Sequence, residues 1–365
     1  MHGVVAAQLD QICRRLGEVV LDPELWPQII SEIAEAVGAV GGVLLQSDVR
    51  TTDVPRTESV DEIARMYFRD GWHLRDAIAA RAVPLALRGK MVVTDREIIS
   101  SEEARRLPDL NELYLPFGIR WHAVVSFRVE DALWGLPLLR ALHRGPYEAD
   151  EARILEILPQ RLNEVASLSA AVGRIALSAA TSALDAVRQP AAAIDRLGRV
   201  VDANPAAVAL FGPHLHVRDR RLVTSDQEAQ RSLQTLMDRL RTTPDVVPLP
   251  CDPFVIRRTG AGPLVVRVLP VHGAARTPFL GARVILTFTV LEPGPRPNVA
   301  MLAKAFGLTP AEARLAAVMA EGSNPEGAAE VLGVSRTTVR NQLKAIFAKT
   351  GAHRQSELVA LLARL

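Results

Sequence analysis

The stretch from Leu308 to Leu365 constrains the fold more than any other, because its caps and helix-ending residues place four short helices. Thr309 is an N-cap, Pro310 stands at the first helical position, and Glu312 completes a capping box. The other boundaries are marked by Gly322, Asn324, Gly333, Ser335 and Ser356. The second helix and the cap of the third are separated by Gly333-Val334, and a turn of that length sets two helices at a steep angle.

The third of these helices is apolar on one side and basic on the other. Val339, Leu343 and Ile346 recur at helical spacing, while the segment from Arg336 to Arg354 carries five basic residues and no acidic one. Arginine and lysine neutralise phosphates and donate to guanine, and asparagine pairs with adenine. A capped basic helix after a tight turn therefore predicts a reader of the DNA major groove. A basic surface helix that only faces solvent is the alternative.

The runs LTPAE, EG…LGVS and TVRNQLKAIFAKTG resemble the C-terminal domain of LuxR-type transcriptional regulators, over about residues 308–362. The resemblance implies an all-α, four-helix helix-turn-helix domain that binds double-stranded DNA. It also implies two sets of contacts. Base edges are expected for Arg340, Asn341 and Lys344, and backbone phosphates for Ser335, Thr337 and Thr338. Apart from the resemblance, the position of Arg336 near the cap predicts a phosphate contact for it.

Two features depart from the family pattern. The family usually has His where this chain has Gln342, and we expect this difference to alter a phosphate or packing contact. In the second helix, Ala328 stands where a larger aliphatic residue is usual. Gly327 is expected to weaken the interior of the same helix by ~1 kcal/mol relative to Ala.

The charge of the chain is concentrated at its C-terminal end. At 365 residues there is room for two or three domains, and 48% hydrophobic with 23% charged residues is ordinary for a globular protein. The net charge is +2; residues 301–365 carry eight Lys or Arg and five Glu, so they contribute +3 and the rest about −1. A basic module on a nearly neutral body favours a regulator over a DNA-packing protein.

The sequence predicts a cytoplasmic protein with no membrane partner. Cys13 and Cys251 are too few for a disulfide framework and fit a reducing compartment. No run of eighteen apolar residues predicts a membrane span, and the N-terminus lacks the pattern of a signal peptide.

Residues 1–165 have the layout of an α+β sensor domain. The pattern predicts helices at 4–21 and 24–37, a strand near 41–49, a variable middle, and strands at 121–130 and 133–141 joined by a turn. The runs LYLPFGIRWHAVVSF and LLRALHRGPYEADEARILEIL resemble GAF-like domains that precede LuxR-type helices.

Four side chains of this domain are candidates for a ligand pocket: Tyr67, Trp72, Asp76 and Trp121. The first three are also similar to the pattern of acyl-homoserine-lactone receptors, although Ala77 stands where that family has Pro after its Asp. Packing in a hydrophobic core is the alternative for the aromatic residues.

Apolar residues three and four apart run through the helical region 151–187: Leu155, Leu158, Leu162, Val165, Leu168 and Val172. Pro159 is expected to kink this helix or to mark its start. Residues 166–183 are predicted to form a connecting helix that pairs with its copy in a homodimer. Packing of the stripe within one subunit is the alternative.

Residues 184–290 predict a second sensor domain with a five-stranded antiparallel sheet. The run LDAVRQPAAAIDRLGRVVDANPAAVALFG, in which a helix is predicted to begin after Asn204-Pro205, resembles the opening of PAS domains. The predicted strands are 191–195, 199–202, 254–258, 264–271 and 283–290, with a helix at 227–241. No flavin-type motif surrounds Cys251, and His214 and His216 are expected to be solvent-exposed and not metal ligands. No cofactor or metal is therefore expected.

No catalytic motif is present: there is no GxSxG, HExxH, P-loop or paired-cysteine spacing, and no phospho-acceptor layout. The sequence predicts a protein that is not an enzyme, with a GAF-like domain (1–165), a connecting helix (166–183), a PAS-like domain (184–290), a linker (291–299) and a helix-turn-helix domain (300–365). The predicted function is transcriptional regulation in response to an unknown small molecule or protein partner. The alternatives are an acyl-homoserine-lactone-type quorum-sensing receptor and a regulator controlled only by protein–protein contacts.

Overall fold

The computed structural model describes residues 2–48, 51–243, 252–291 and 298–362. Cys251 and most of the predicted linker 291–299 lie outside these ranges. The chain divides into two compact units, Met1–Val290 and Leu291–Leu365. The fold class is α+β, as predicted, because the first unit combines helices with antiparallel sheets and the second is helical in its described part.

Three helices open the first unit: α1 (His2–Arg15), α2 (Glu18–Leu21) and α3 (Trp26–Ala36). The helix predicted over 4–21 is therefore divided at Leu16-Gly17. Asp22 caps the short 3₁₀ turn before α3 by accepting a hydrogen bond from the Glu24 backbone N–H (3.2 Å). Trp26, Ile30 and Ile33 on the inner side of α3 are fully buried.

The first sheet is antiparallel throughout. Its strands are β1 (Gly41–Gly42), β2 (Leu45–Gln46), β3 (Val92–Thr94), β4 (Ile119–Val129) and β5 (Ala132–Ala141). Their order is β1-β5-β4-β3, with β2 also paired to β5. The strand predicted near 41–49 is present in its first part, since β1 and β2 pair with β5 in one register and the Leu44 N–H between them donates to Pro55 O on the other side (2.9 Å). The predicted turn between β4 and β5 is present, with Glu130 at φ 53°.

Short helices fill the variable middle of this half: α4 (Asp61–Arg69), α5 (Ala77–Leu87), α6 (Asp95–Ile98), α7 (Ser101–Ala104), a π-helical turn (Asp109–Tyr114) and later α8 (Ala149–Leu155). Helix α5 was not predicted, since Pro84 lies inside it and proline argues against a helix interior. Asp76 nevertheless caps α5 by accepting from the Ala79 N–H (2.8 Å).

Helix α9 (Leu158–Ala186) is the longest element, and Pro159 lies in its first turn. Pro159 therefore marks a helix start and not a kink. Leu155 of α8 and four residues of α9 are at most 1% exposed and pack in the core of the first half: Leu158, Leu162, Ala166 and Ala170. The structure thus decides for packing within one subunit at Leu155, Leu158 and Leu162. Leu168 remains 53% exposed.

The stretch Ala149–Ala186 has the length and apolar composition of a membrane span. Core helices of soluble proteins share both properties. Here the inner stripe of α9 packs against α1, α2 and β4 of the first half.

The second half of the unit is built on the predicted five-stranded antiparallel sheet, in the order β10-β11-β12-β6-β7. The elements are β6 (Ala191–Asp195), β7 (Val200–Ala203), α10 (Pro205–Leu210), β8 (Leu215–Arg218), β9 (Arg221–Thr224), α11 (Gln227–Thr242), β10 (Phe254–Ile256), β11 (Leu264–Pro270) and β12 (Ala282–Val290). Strands β8 and β9 form a separate hairpin. Leu233 and Leu240 of α11 pack on Val266 and Phe288 of the sheet in one core.

Asn204 is the buried polar residue that joins the start of this sheet to its neighbours. Its side-chain oxygen accepts from the N–H groups of Ala191 (3.0 Å) and Ala207 (2.9 Å). Its amide donates to the carbonyl oxygens of Thr181 (3.2 Å) and Gln189 (2.9 Å). All four hydrogen-bonding positions of the amide are used, so burial of Asn204 leaves no polar group unpaired.

The C-terminal half of α9 packs on the second sheet. Leu177 is buried with Ala193 and Ile285. At Gly173 a Cβ atom would lie 2.6 Å from Thr277 Cγ2, so only glycine permits this close approach of α9 to the segment after β11. One helix therefore contributes to two cores: that of the first half and a smaller one, distinct from the α11 core, on the second sheet.

Buried charges join the two halves of the first unit. Arg276 Nη2 donates to Asp53 Oδ1 (2.8 Å), and Arg283 forms an ion pair with the same oxygen. Arg196 donates to the Asp53 backbone oxygen (3.2 Å) and to the Gln46 side-chain oxygen (3.2 Å). Burial lowers the pKa of Arg276 to about 10 against the opposing effect of Asp53, and it also lowers the pKa of Arg196.

The second unit contains the four helices predicted from Leu308 onward, preceded by one that was not predicted. They are α12 (Val299–Phe306), α13 (Pro310–Ala320), α14 (Pro325–Leu332), α15 (Arg336–Thr350) and α16 (Gln355–Leu362). Leu315 and Met319 of α13, Ile346 of α15 and Leu358 of α16 are completely buried in one core.

Candidate functional site

The first candidate site is the exposed face of α15. Gly333 ends α14 in the left-handed conformation (φ 64°), and Ser335 then caps α15 by accepting from the Thr338 N–H (3.1 Å). The caps and the tight turn expected from the sequence are present. They fix where α15 begins and leave its first turn facing solvent.

All seven predicted DNA-contact residues are exposed: Ser335, Arg336, Thr337, Thr338, Arg340, Asn341 and Lys344. The opposite side of α15 is buried through Val339, Leu343 and Ile346. The Ser335 and Thr338 hydroxyl groups lie 2.8 Å apart and are bonded to each other. Their first role is therefore to hold the start of the helix.

The preceding helix is fixed by a local cap. Asn324 accepts from the Gly327 N–H (2.7 Å), which places Gly327 in the first turn of α14 and not in its interior. A Cβ atom at Gly327 would lie 3.2 Å from the Asn324 side-chain oxygen. The effect of Gly327 on the stability of α14 stays a prediction. Ala328 is fully buried in the core of the second unit.

The end of α15 is held by an ion pair inside the unit. Lys349 Nζ donates to Glu312 Oε2 (2.7 Å), and the same carboxylate oxygen accepts from the Thr309 N–H (2.7 Å). These hydrogen bonds, that of Lys349 first, hold the pKa of Glu312 below its ordinary value. Lys349 thus attaches α15 to α13 although it is itself exposed, and the other exposed basic residues of α15 are Arg336, Arg340 and Lys344.

The second candidate site is a cavity in the first half of the first unit, between the first sheet and helices α4 and α5. It offers about 80 Å³ to the centre of a water-sized sphere. Most of its lining is apolar or aromatic. The polar lining residues are Gln46, Ser47, Tyr67, Asp76, Tyr114, His122 and Ser126. Apolar walls with a few polar groups are typical of small-molecule sites.

Two of the four predicted pocket residues line this cavity. The Tyr67 hydroxyl donates to Asp76 Oδ2 (2.7 Å), and Asp76 is the N-cap of α5. Trp72 and Trp121 are not among the lining residues. Trp72 packs in a small core under the Arg75 guanidinium (4.1 Å), and Trp121 donates to the Leu142 carbonyl oxygen (3.2 Å).

His122 was not singled out in the sequence, and it lies on the cavity wall in β4 with 1% exposure. Its ring contacts the Tyr114 ring edge-on, with 4.6 Å between centroids. Nδ1 lies 3.9 Å from Asp95 Oδ2, too far for a direct hydrogen bond. The sequence around His122 does not indicate a site, because its neighbours in space, Asp95 and Tyr114, belong to other elements of the chain.

Two cavity residues also reach the second half of the first unit. Gln46 accepts a hydrogen bond from Arg196 (3.2 Å). The Trp134 ring faces the Arg196 guanidinium (5.4 Å) and packs edge-on against Phe279 (5.0 Å). The cavity wall is therefore in direct contact with the buried charges around Asp53.

His214 precedes β8 and His216 lies in it. The prediction that both are solvent-exposed is wrong, because each is half-buried at the hairpin, and His214 Nδ1 is 3.2 Å from Ser225 Oγ. Among the residues that the structure describes, no three His, Cys, Asp or Glu side chains are grouped as metal ligands.

No protein-family model and no curated protein sequence matches the chain. Among solved structures, the chain is similar to the phage VqmA–DPO complex, at 15% identity over 53% of this chain and 89% of that one, with a TM-score of 0.23. It is also similar to the Escherichia coli DhaR(N)–DhaL complex, at 10% identity over 77% of this chain and 87% of that one, with a TM-score of 0.23. At these scores neither likeness supports a conclusion about this protein.

Proposed function

We propose that the protein is a sequence-specific DNA-binding transcriptional regulator whose first unit responds to a small molecule. The observation that carries the proposal is α15: it is capped, follows a tight turn, buries one face and exposes Arg336, Arg340, Asn341 and Lys344 on the other. This arrangement is what a recognition helix in the major groove requires. The motifs shared with LuxR-type helix-turn-helix domains support the same function.

Positions along α15 suggest separate roles for its charged residues. Arg340, Asn341 and Lys344 lie about one to two turns into the helix, where side chains reach base edges. Arg336 and Thr337 stand beside the cap, where phosphates approach a helix start. In this proposal Ser335 and Thr338 contribute mainly by positioning, since their hydroxyl groups bond each other.

The cavity supplies the proposed signal site. Its contact with Arg196 through Gln46 connects any ligand to the second half of the first unit. We propose that the ligand acts on a homodimer, because two recognition helices reading half-sites one turn apart require two copies. The protein is proposed to be cytoplasmic and not an enzyme, with DNA, a second copy and the small molecule as its partners.

DNA selection tests the proposal. The full-length protein is used to select binding sites from random double-stranded DNA, and affinity for the selected site and for scrambled DNA is then measured across a salt series. Arg340→Ala is expected to lose about 1–3 kcal/mol on the selected site and to relax one base position. Arg336→Ala should weaken both DNAs alike and lower the salt slope by about one.

Arg314→Ala is the matched control, because Arg314 is an exposed arginine of the same unit on α13. It should leave affinity and base preference unchanged. Failure to enrich any sequence would refute the proposed function. If Arg340→Ala instead weakened both DNAs equally with a lower salt slope, Arg340 would be a phosphate contact and its assignment to a base would be wrong.

A further inference from the structure

His122 carries an inference about the ligand of the cavity. Within the described residues, neither of its ring nitrogens has a hydrogen-bond partner, although the residue is 1% exposed. Buried polar groups are normally paired, because an unpaired one destabilises the fold. Unpaired polar groups facing a cavity are candidates for binding a ligand.

Neighbouring groups account for at most one of the two nitrogens. Asp95 lies on the Nδ1 side of the ring at 3.9 Å and is not part of the cavity lining. Its carboxylate already accepts from Arg120 Nη1 (3.2 Å). Nε2 is on the opposite edge of the imidazole, so even a water between Nδ1 and Asp95 would leave it without a partner. Tyr114 packs edge-on against the ring and limits its rotation.

The lining indicates an uncharged ligand. The cavity residues that the structure describes include no lysine or arginine to balance an anion. Their carboxylate, Asp76, is already bonded to the Tyr67 hydroxyl and to the Ala79 N–H, so it is not free to balance a cation. Most of the rest of the lining is aliphatic or aromatic and includes Ile63, Phe68, Tyr114 and Leu139.

Size limits the ligand as well. A volume of about 80 Å³ open to sphere centres holds roughly five to eight water-sized groups. This suits a small ring or a short chain.

We propose that the cavity binds a small uncharged molecule, aromatic or compactly apolar in its body, through a hydrogen bond between its polar group and the imidazole of His122. This inference rests on the proposed function in one respect, namely that this molecule is the signal. It adds the chemical class of the ligand and the side chain that selects it.

Four probes of nearly equal size test the class on the full-length protein: benzamide, benzoate, benzylamine and toluene. Calorimetry should show benzamide binding ~10-fold tighter than benzoate or benzylamine. His122→Leu should weaken benzamide by ~5–10-fold, the value of one hydrogen bond, and leave toluene unchanged. His122→Gln retains hydrogen-bonding groups and should recover part of the affinity. His143→Leu, an exposed histidine after β5, is the matched control and should bind as the unaltered protein does.

A second measurement distinguishes a hydrogen bond between His122 and the ligand from a role of His122 in packing the fold. In protein labelled with ¹⁵N at its eight histidines, the signal missing from His122→Gln identifies His122, and benzamide should shift that signal alone. Without probe, His122→Leu should unfold at a temperature equal to or above that of the unaltered protein, because no hydrogen bond is lost. A large drop would mean that His122 serves the fold and would overturn the inference.

The remaining outcomes are equally decisive. Tightest binding of benzoate, benzamide affinity unchanged in His122→Leu, or no binding of any probe would each overturn the inference. Affinity for the selected DNA site, measured on the same preparations, keeps the two proposals apart. Retained DNA binding with no probe binding refutes only the ligand class, whereas probe binding without DNA binding refutes only the regulator.

Discussion

Asp53→Asn should separate the two halves of the first unit energetically. The substitution keeps the shape of the side chain and removes the carboxylate that faces Arg276 and Arg283, whose side chains are 15% and 2% exposed. At an effective dielectric constant of about 20, each such contact at roughly 4 Å between charge centres is worth about 4 kcal/mol. The substitution also removes the cost of burying the carboxylate, and this gain offsets several kcal/mol of the lost attraction.

We therefore expect the free energy of unfolding to fall by about 3–5 kcal/mol, as when one partner of a buried ion pair is removed. The hydrogen bond of Arg196 to the Asp53 backbone oxygen remains, so the loss reflects the charge. Urea unfolding of the full-length protein, followed by tryptophan fluorescence and by circular dichroism, measures it. The slope against urea reports whether the two halves still unfold together.

Asp70→Asn is the control, because Asp70 forms an exposed pair with Arg69 at a similar distance (2.7 Å). It should leave the unfolding midpoint unchanged. A loss below about 1 kcal/mol for Asp53→Asn would refute the reasoning, since surface pairs have that value. The three arginines would then be compensated by other groups.

Three further predictions concern the second unit and the assembly. A fragment of residues 299–365 should be helical by circular dichroism at low temperature, since it has its own core; a coil spectrum would contradict this. Lys349 lowers the pKa of Glu312. The stability that the ionised Glu312 contributes is therefore fully present above its ordinary pKa of 4.5, and it is lost as the pH falls through the lowered pKa. Thermal unfolding of the fragment against pH should show this loss, and Glu312→Gln should remove it. Replacing the exposed Leu168 and Ile175 of α9 with Lys should give monomers by light scattering, and an unchanged mass would exclude this face from a dimer.

The elements that the sequence placed best are those decided by neighbours in the chain. Thr309, Asn324 and Ser335 each accept a hydrogen bond from the backbone N–H three residues further along the chain. Their identity is therefore enough to locate the helix starts. Asn204 was placed at the start of α10 for the same reason. Helix α12 was not predicted, although Asn298 caps it in the same way, because the prolines just before Asn298 indicate a linker.

What the sequence could not decide depends on distant partners. The stripe through Leu158 and Leu162 predicts an apolar partner but not which one, and the structure supplies the first sheet in place of a second subunit. His122 reaches the cavity only because β4 sets it beside Tyr114 and Asp95. The buried charges around Asp53 join residues more than 140 positions apart, so no local sequence pattern predicts them.

Because α9 serves both cores, the two halves of the first unit share its rotational phase. An α-helix turns by about 100° and advances by about 1.5 Å per residue. One alanine inserted after Ala170 would therefore swing Gly173 away from Thr277 while Leu162 stayed in the first core. Seven residues would restore the phase to within about 20° but lengthen the helix by about 10 Å. An insertion in α9 therefore keeps both of its packing faces in line only when it adds close to a whole number of turns, and it then moves the two cores apart along the helix axis.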